Sequence, residues 1–163
     1  MLLISCKQNA EINSTEKVSQ KSIEEINVLE QYIENDLLLS NFESDLSELS
    51  KNPKFVLEKE LVKNRHVDNQ IDTIKIFKFK ETNIQSYKAV SEEWIIEAKI
   101  MNSELQFSES VKIKMPKKAL EKILKTKLNS DIVKVGNLEQ TSVFIFKFKN
   151  DNLQEIIYEG YVD

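Results

Sequence analysis

Residues 76–85 read IFKFKETNIQ, and residues 145–154 read IFKFKNDNLQ. Seven of the ten positions are identical at an offset of 69 residues. In both copies two apolar segments flank a short polar stretch, 81–83 or 150–152, whose Asn and Asp residues favour turns. Each copy therefore predicts a β-hairpin. We interpret the pair as an internal duplication; the alternative is coincidence in a chain rich in Lys, Ile and Phe.

Period-two alternation also marks residues between the two copies. Apolar and polar residues alternate over 94–100 and again over 111–115, the pattern of strands with one buried face. Residues 116–128 change to helical spacing behind Pro116, with one apolar stripe made of Ala119, Leu120, Ile123, Leu124 and Leu128. Two further strands are predicted after Gly136.

Helical spacing precedes the first copy as well. Ser22 and Glu25 form a capping box, so a helix is predicted over 22–39, ending against the body at residues 37–39. A second short helix is predicted over 42–49, where apolar residues recur at i, i+4 and i+7.

These elements indicate an α+β fold in which helices pack on an antiparallel β-sheet. Its plan is a tandem repeat of a helix with a β-hairpin or meander, over about 42–101 and 108–163, behind an N-terminal helix. The 163-residue chain has 40% hydrophobic and 31% charged residues, which is enough apolar material for a core. We expect residues 22–163 to form one domain.

A helix followed by three antiparallel strands, twice over, resembles the tandem fold of the β-lactamase-inhibitor proteins and of small outer-membrane assembly lipoproteins. The resemblance is carried by residues 111–120, which read VKIKMPKKAL, and by the closing hairpin from Phe144 to Tyr161. It implies a fold, whereas function has to be argued from individual sites.

The first six residues read MLLISC. Leu3-Ile4-Ser5-Cys6 resembles the lipobox of bacterial lipoproteins, which implies that 1–5 are the remnant of a signal peptide. The resemblance also implies a diacylglycerol on the Cys6 thiol and an acyl chain on the new amino terminus, a combination that anchors a protein stably. The alternative is a cytosolic protein whose first residues are apolar.

Polar residues without an apolar period follow the lipobox. Residues 6–21 are therefore predicted to be a flexible tether. The charged segment 7–11 resembles the segments that send some Bacteroidetes lipoproteins to the cell surface. Together these resemblances imply a lipid-anchored protein of the bacterial cell envelope, on the outer membrane facing the periplasm or at the cell surface.

The residue inventory argues against several kinds of chemistry. Only two glycines are present, so a glycine-rich phosphate loop is not expected, and the net charge of −4 argues against nucleic acid as a partner. His66 is the only histidine and Cys6 the only cysteine, so no disulfide, catalytic triad or metal centre is expected. Carboxylate pairs such as Glu92 with Glu93 are interpreted as solvated. We expect no cofactor and no enzymatic activity.

Charge is segregated along the chain. Residues 11–48 contain ten acidic and two basic residues, whereas 112–127 contain seven lysines and one glutamate. A basic helix face or exposed large aromatics favour contact with a partner. The candidate partner-binding residues are Lys117, Lys118, Lys122, Lys125, Trp94 and Tyr161. The alternatives are a solvated helix face for the lysines and a core position for Trp94.

The sequence therefore predicts a membrane-anchored exported lipoprotein that acts as a non-enzymatic protein-binding or envelope-assembly module. The identity of its protein partner is not predicted. One alternative is a carrier of lipid or of a small apolar ligand. Another is a cytosolic interaction or immunity-type protein.

Overall fold

The computed structural model of the chain describes residues 30–161. Eight strands form one sheet in the order β1-β6-β7-β8-β5-β4-β3-β2. The strands are β1 Gln31–Glu34, β2 Val56–Lys63, β3 Ile71–Phe79, β4 Thr82–Lys88, β5 Glu93–Ile100, β6 Ile132–Gly136, β7 Val143–Lys149 and β8 Asn152–Glu159, and the helices are α1 Asp36–Ser50 and α2 Lys117–Leu124. All neighbouring strands are antiparallel except β1 and β6, which are parallel, so the sheet is mixed. The predicted α+β class is confirmed.

One apolar cluster joins the helices to the sheet. Helix α1 contributes four buried side chains, Leu39, Phe42, Leu46 and Leu49. They share this cluster with Phe107 and other residues of the 101–116 segment, with Leu120 and Leu124 of α2, and with residues of β4 to β8. The ring of Phe42 lies 5.5 Å from those of both Phe144 and Phe146 of β7, centroid to centroid. The core therefore lies on one face of the sheet, mainly over β5 to β8.

The start of α1 corrects the predicted N-terminal helix. Residues 31–34 pair as a parallel strand with β6 instead of forming part of a helix over 22–39, while residues 22–29 lie outside the described part. The helix begins after Asn35, whose side chain accepts a hydrogen bond from the Leu38 backbone N–H at 2.9 Å. Residues 37–39 therefore open the helix rather than end it, and the helix predicted over 42–49 is confirmed inside α1.

Asn35→Ala is expected to lower the free energy of unfolding by about 1 kcal/mol, because it leaves the Leu38 N–H without its cap. Asn35→Asp keeps an accepting oxygen and serves as the matched control. Urea denaturation of both variants measures the effect. Equal losses in the two variants would contradict a capping role.

Both predicted hairpins are present. β3 pairs with β4 and β7 with β8, but the turns are tighter than predicted. They consist of residues 80–81 and 150–151, instead of 81–83 and 150–152. Asn150 and Asp151 have φ values of 51° and 57°, the left-handed conformation that Asn and Asp accept best among larger residues.

Of three other predicted elements, one is confirmed, one does not form a strand and one is shorter than predicted. The strand over 94–100 is confirmed as β5, whereas residues 111–115 bury alternate side chains without forming a strand. Lys114 interrupts that segment with a φ of 72° while its N–H donates to Leu153 O at 2.7 Å. Helix α2 ends at Leu124, short of the predicted 128, because Lys125 is left-handed.

The order helix, strand, hairpin occurs twice along the chain, as α1-β2-β3-β4 and as α2-β6-β7-β8. The strand before each hairpin pairs with the first hairpin strand in both cases. The origin of the two halves by duplication stays a prediction.

Candidate functional site

The helices leave one half of the sheet open. On β2, Leu57 and Leu61 are 45% and 77% exposed. Leu57 lies opposite Phe77 of β3, which packs against the core from the helix-bearing face. A groove of about 710 Å³ follows this open half, between α1 and strands β3 to β5. A volume of this size is typical of binding clefts.

Three side chains form a polar floor in this groove. Lys75 Nζ donates to one carboxylate oxygen of Glu93 at 2.5 Å, and Ser86 Oγ donates to the other at 2.7 Å. Burial opposes ionisation of Glu93, but the hydrogen bonds from Lys75 and Ser86 outweigh it and lower the pKa of Glu93. The groove therefore presents a fixed ion pair rather than a carboxyl that exchanges protons near neutral pH.

A second polar contact ties α1 to the sheet at the groove. Tyr158 Oη donates to Glu43 Oε1 at 2.8 Å. Burial raises the pKa of Tyr158, the hydrogen bond to Glu43 raises it further, and Ser142 opposes the shift. Tyr158 therefore acts here as a neutral donor that holds Glu43 in place.

The predicted aromatic contact residues both border this groove. Tyr161 is 57% exposed, and Trp94 is 37% exposed with its ring centroid 5.1 Å from that of Tyr87. The exposure of Trp94 therefore favours the contact role over the alternative of a core position. The structure brings these two residues together with Lys75 and Glu93, neither of which was predicted as a site residue.

The predicted lysines lie on α2 and beside it, and none of them lines the groove. Lys118, Lys122 and Lys125 are exposed. Lys117 is only 13% exposed in its side chain, forms ion pairs with Asp131 and Asp151 and lies over the Phe148 ring. Through these contacts Lys117 stabilises the β7–β8 turn, which contains Asp151. The predicted lipidation site, Cys6, lies outside the described residues.

A buried carboxylate organises the far end of the open half. Asp72 is 2% exposed and accepts hydrogen bonds from Tyr87 at 2.5 Å, Asn64 at 2.6 Å and Gln70 at 2.9 Å. These bonds fix the β2–β3 loop against β4. His66 lies exposed in this loop.

Stability is expected to fall in acid partly through Asp72. The hydrogen bonds from Tyr87 and then Gln70 lower the pKa of Asp72, so its contribution is complete above its unfolded-state pKa. The contribution is lost as the pH drops below about 4 and through the folded-state value. In Asp72→Asn, urea midpoints measured across this range should fall less steeply than in wild type. Asp68→Asn, in the same loop, controls for net charge; identical slopes for all three proteins would contradict the prediction.

The polar floor of the groove was missed because its residues are far apart in sequence. Lys75 stands among apolar strand residues, which is the available signal, and only the β3–β4–β5 register brings it to Ser86 and Glu93. Glu93, interpreted with Glu92 as a solvated carboxylate, is instead ion-paired and one-third exposed.

Residues 30–161 contain no grouping of three or more His, Cys, Asp or Glu side chains arranged to hold a metal ion. In the same range, neither helix has the length and hydrophobicity needed to cross a membrane. Comparison of the chain with protein-family models, with curated proteins and with solved structures gives no match.

Proposed function

We propose that the chain is a lipid-anchored, non-enzymatic module of the bacterial cell envelope that binds a partner protein through the groove beside α1. The observation that carries this proposal is the groove itself, which joins an open sheet half to two exposed aromatics, Trp94 and Tyr161. Large aromatics at the rim of a cleft with a fixed polar floor are typical of protein-recognition surfaces.

The chemistry of the groove favours recognition over catalysis. Glu93 is held ionised by Lys75, and Tyr158 is held neutral beside Glu43. General acid–base catalysis needs a group that gains and loses a proton near the working pH. Fixed charges and donors instead suit hydrogen bonding to a partner whose polar groups match them.

Cross-linking in cells tests the groove. A photoreactive amino acid at Ser47, an exposed groove residue, is expected to give a defined adduct that is weakened by Tyr161→Ala. The same photoreactive amino acid at Lys118, exposed on α2, is the matched control. Adducts of equal yield at both positions, or an adduct at Ser47 that Tyr161→Ala leaves unchanged, would count against the groove as the binding surface.

The lipid anchor is supported by the lipobox resemblance at Cys6 and is tested separately. Cells expressing the full-length gene are grown with a fatty-acid analogue that can be labelled. Wild type should incorporate the analogue and Cys6→Ala should not. Label in both proteins, or in neither, would contradict acylation at Cys6.

A carrier of an apolar ligand is the second candidate, because Leu46, Phe77 and Ile95 also line the groove. The Lys75–Glu93 pair weighs against it, since an apolar chain in the groove would cover these charges without replacing their water. Native mass spectrometry after mild extraction distinguishes the two: a bound lipid favours the carrier, and a bound protein favours the module.

A further inference from the structure

Strand β2 ends the sheet with its backbone groups open on one side. In the described part of the chain β2 pairs only with β3, and it is eight residues long. The Asn64 N–H donates a hydrogen bond to Gln70 O, and this pair continues the β2–β3 register one residue beyond Lys63 and Ile71. Because antiparallel ladders alternate, the N–H and C=O groups of the even-numbered β2 residues point to β3. The N–H and C=O groups of the odd-numbered residues point in the opposite direction, to the open side of β2. These residues are Leu57, Lys59, Leu61 and Lys63.

The two faces of β2 differ in chemistry. The odd-numbered residues share the helix-bearing face with Phe77 and Lys75, and they alternate leucine with lysine. The opposite face carries Val56, Glu58, Glu60 and Val62. Of these charges, Glu58 forms an exposed ion pair with Lys78 of β3 at 2.6 Å. Three apolar residues of this one strand, Val56, Leu57 and Leu61, are 45% to 77% exposed.

Pairing of β2 with a second copy of itself is disfavoured by these charges. In an antiparallel two-fold pair, residues facing each other across the strands lie on the same face. Every such register of five or more residues then places like charges opposite: Lys59 against Lys59 or Lys63, or Glu58 or Glu60 against itself. Like charges directly opposite each other are destabilising, and lysines on an edge commonly serve to prevent self-association.

We propose that β2 receives an extended segment of the partner protein as a ninth strand. This inference rests on the proposed function and deepens it by naming the form of the ligand. The segment would have acidic residues opposite Lys59 and Lys63, basic residues opposite Glu58 and Glu60, and apolar residues opposite Leu57 and Leu61. Strand addition of this kind takes affinity from the backbone and specificity from alternate side chains.

The probe is a synthetic eight-residue peptide with this charge pattern, added to the full chain. Amide hydrogen exchange is read residue by residue by NMR. The Lys59 and Leu61 amides, which point outward, should exchange at least about tenfold more slowly with the peptide bound. The Glu58 and Glu60 amides, already bonded to β3, should change little. A peptide with acidic and basic positions exchanged is the matched control and should bind weakly.

Two variants separate backbone pairing from side-chain contact. Lys59→Pro removes an outward N–H without removing a bond to β3, a position where an edge strand tolerates proline, and should abolish protection at Leu61. Lys59→Ala keeps the N–H and should retain part of the binding. Protection without the odd–even alternation, equal binding of the charge-exchanged peptide, or no protection in wild type would overturn the inference. A concentration-dependent dimer that Lys59→Pro abolishes would also overturn it, in favour of self-pairing.

These outcomes are distinguishable from failure of the proposed function. An adduct at Ser47 in cells together with no peptide protection removes the edge inference and leaves the groove. Peptide protection together with no adduct at Ser47 keeps the edge and removes the groove.

Discussion

Replacing Phe42 by alanine is expected to cost about 3–5 kcal/mol of the free energy of unfolding, the largest effect anticipated for a single residue in this fold. Phe42 is 3% exposed, and its ring contacts Phe107 at 5.9 Å and both Phe144 and Phe146 at 5.5 Å, centroid to centroid. It therefore joins three parts of the protein: α1, the segment over 101–116, and β7. The total free energy of unfolding of a small domain is only about 5–15 kcal/mol, so the variant is expected to be marginally stable.

Urea denaturation followed by far-UV circular dichroism measures this loss. Leu37→Ala, in the first turn of the same helix and 74% exposed, is the matched control and should change stability by less than about 0.5 kcal/mol. A similar loss in the two variants would show that α1 is held by its helix propensity and not by the aromatic contacts.

Gly136→Ala is expected to have the second largest effect, about 1–3 kcal/mol, through overpacking. Gly136 ends β6 between β1 and β7. A Cβ atom there would lie 2.6 Å from Tyr32 Oη and 2.7 Å from Ser142 O. The Tyr32 side chain can move, although it then loses its hydrogen bond to Asn137 O, whereas the Ser142 carbonyl belongs to the backbone. The backbone at Ser142, directly before β7, is therefore expected to shift.

A double-mutant cycle isolates the contact with the tyrosine. Gly136→Ala should cost less in a Tyr32→Phe background, because the nearest atom has been removed. The rescue should be incomplete, since Ser142 O remains in place. Thermal and urea unfolding of the four proteins provide the data. A full rescue would assign the whole effect to Tyr32, and an absence of rescue would assign it to the backbone alone.

The hairpins could be predicted because their information is local. Over β7–β8 the apolar pattern, the turn residues and the buried positions all lie within 17 residues, from Val143 to Glu159. Helix α1 was predicted in two pieces, the end of a helix over 22–39 and a separate helix over 42–49, instead of as one helix. The buried positions of α1 follow the predicted helical spacing. Residues 31–34 also have helical spacing in the sequence, but in the structure they form a strand that pairs in parallel with β6, about a hundred residues later in the chain.

Strands β2 and β6 were missed for different reasons. Residues 56–63 are exposed on both faces, so they lack the alternation between apolar and polar residues that marks a half-buried strand. Strand β6 is only five residues long, Ile132–Gly136. The groove also depends on pairing between strands that are distant in sequence. The sequence therefore predicted the aromatic residues at its rim, Trp94 and Tyr161, but not the polar residues of its floor.

The strand order has a consequence for how a tethered molecule is presented. β1, the first described strand and the one nearest in sequence to Cys6, lies at one edge of the sheet, and β2 lies at the other. Seven spacings of about 4.8 Å separate them, roughly 34 Å across the sheet. If Cys6 is acylated as proposed, the part of the chain that carries the lipid joins the described body at the β1 edge, opposite β2. The attachment point of the lipid-bearing segment and the strand proposed to receive the ligand are thus separated by the full width of the sheet.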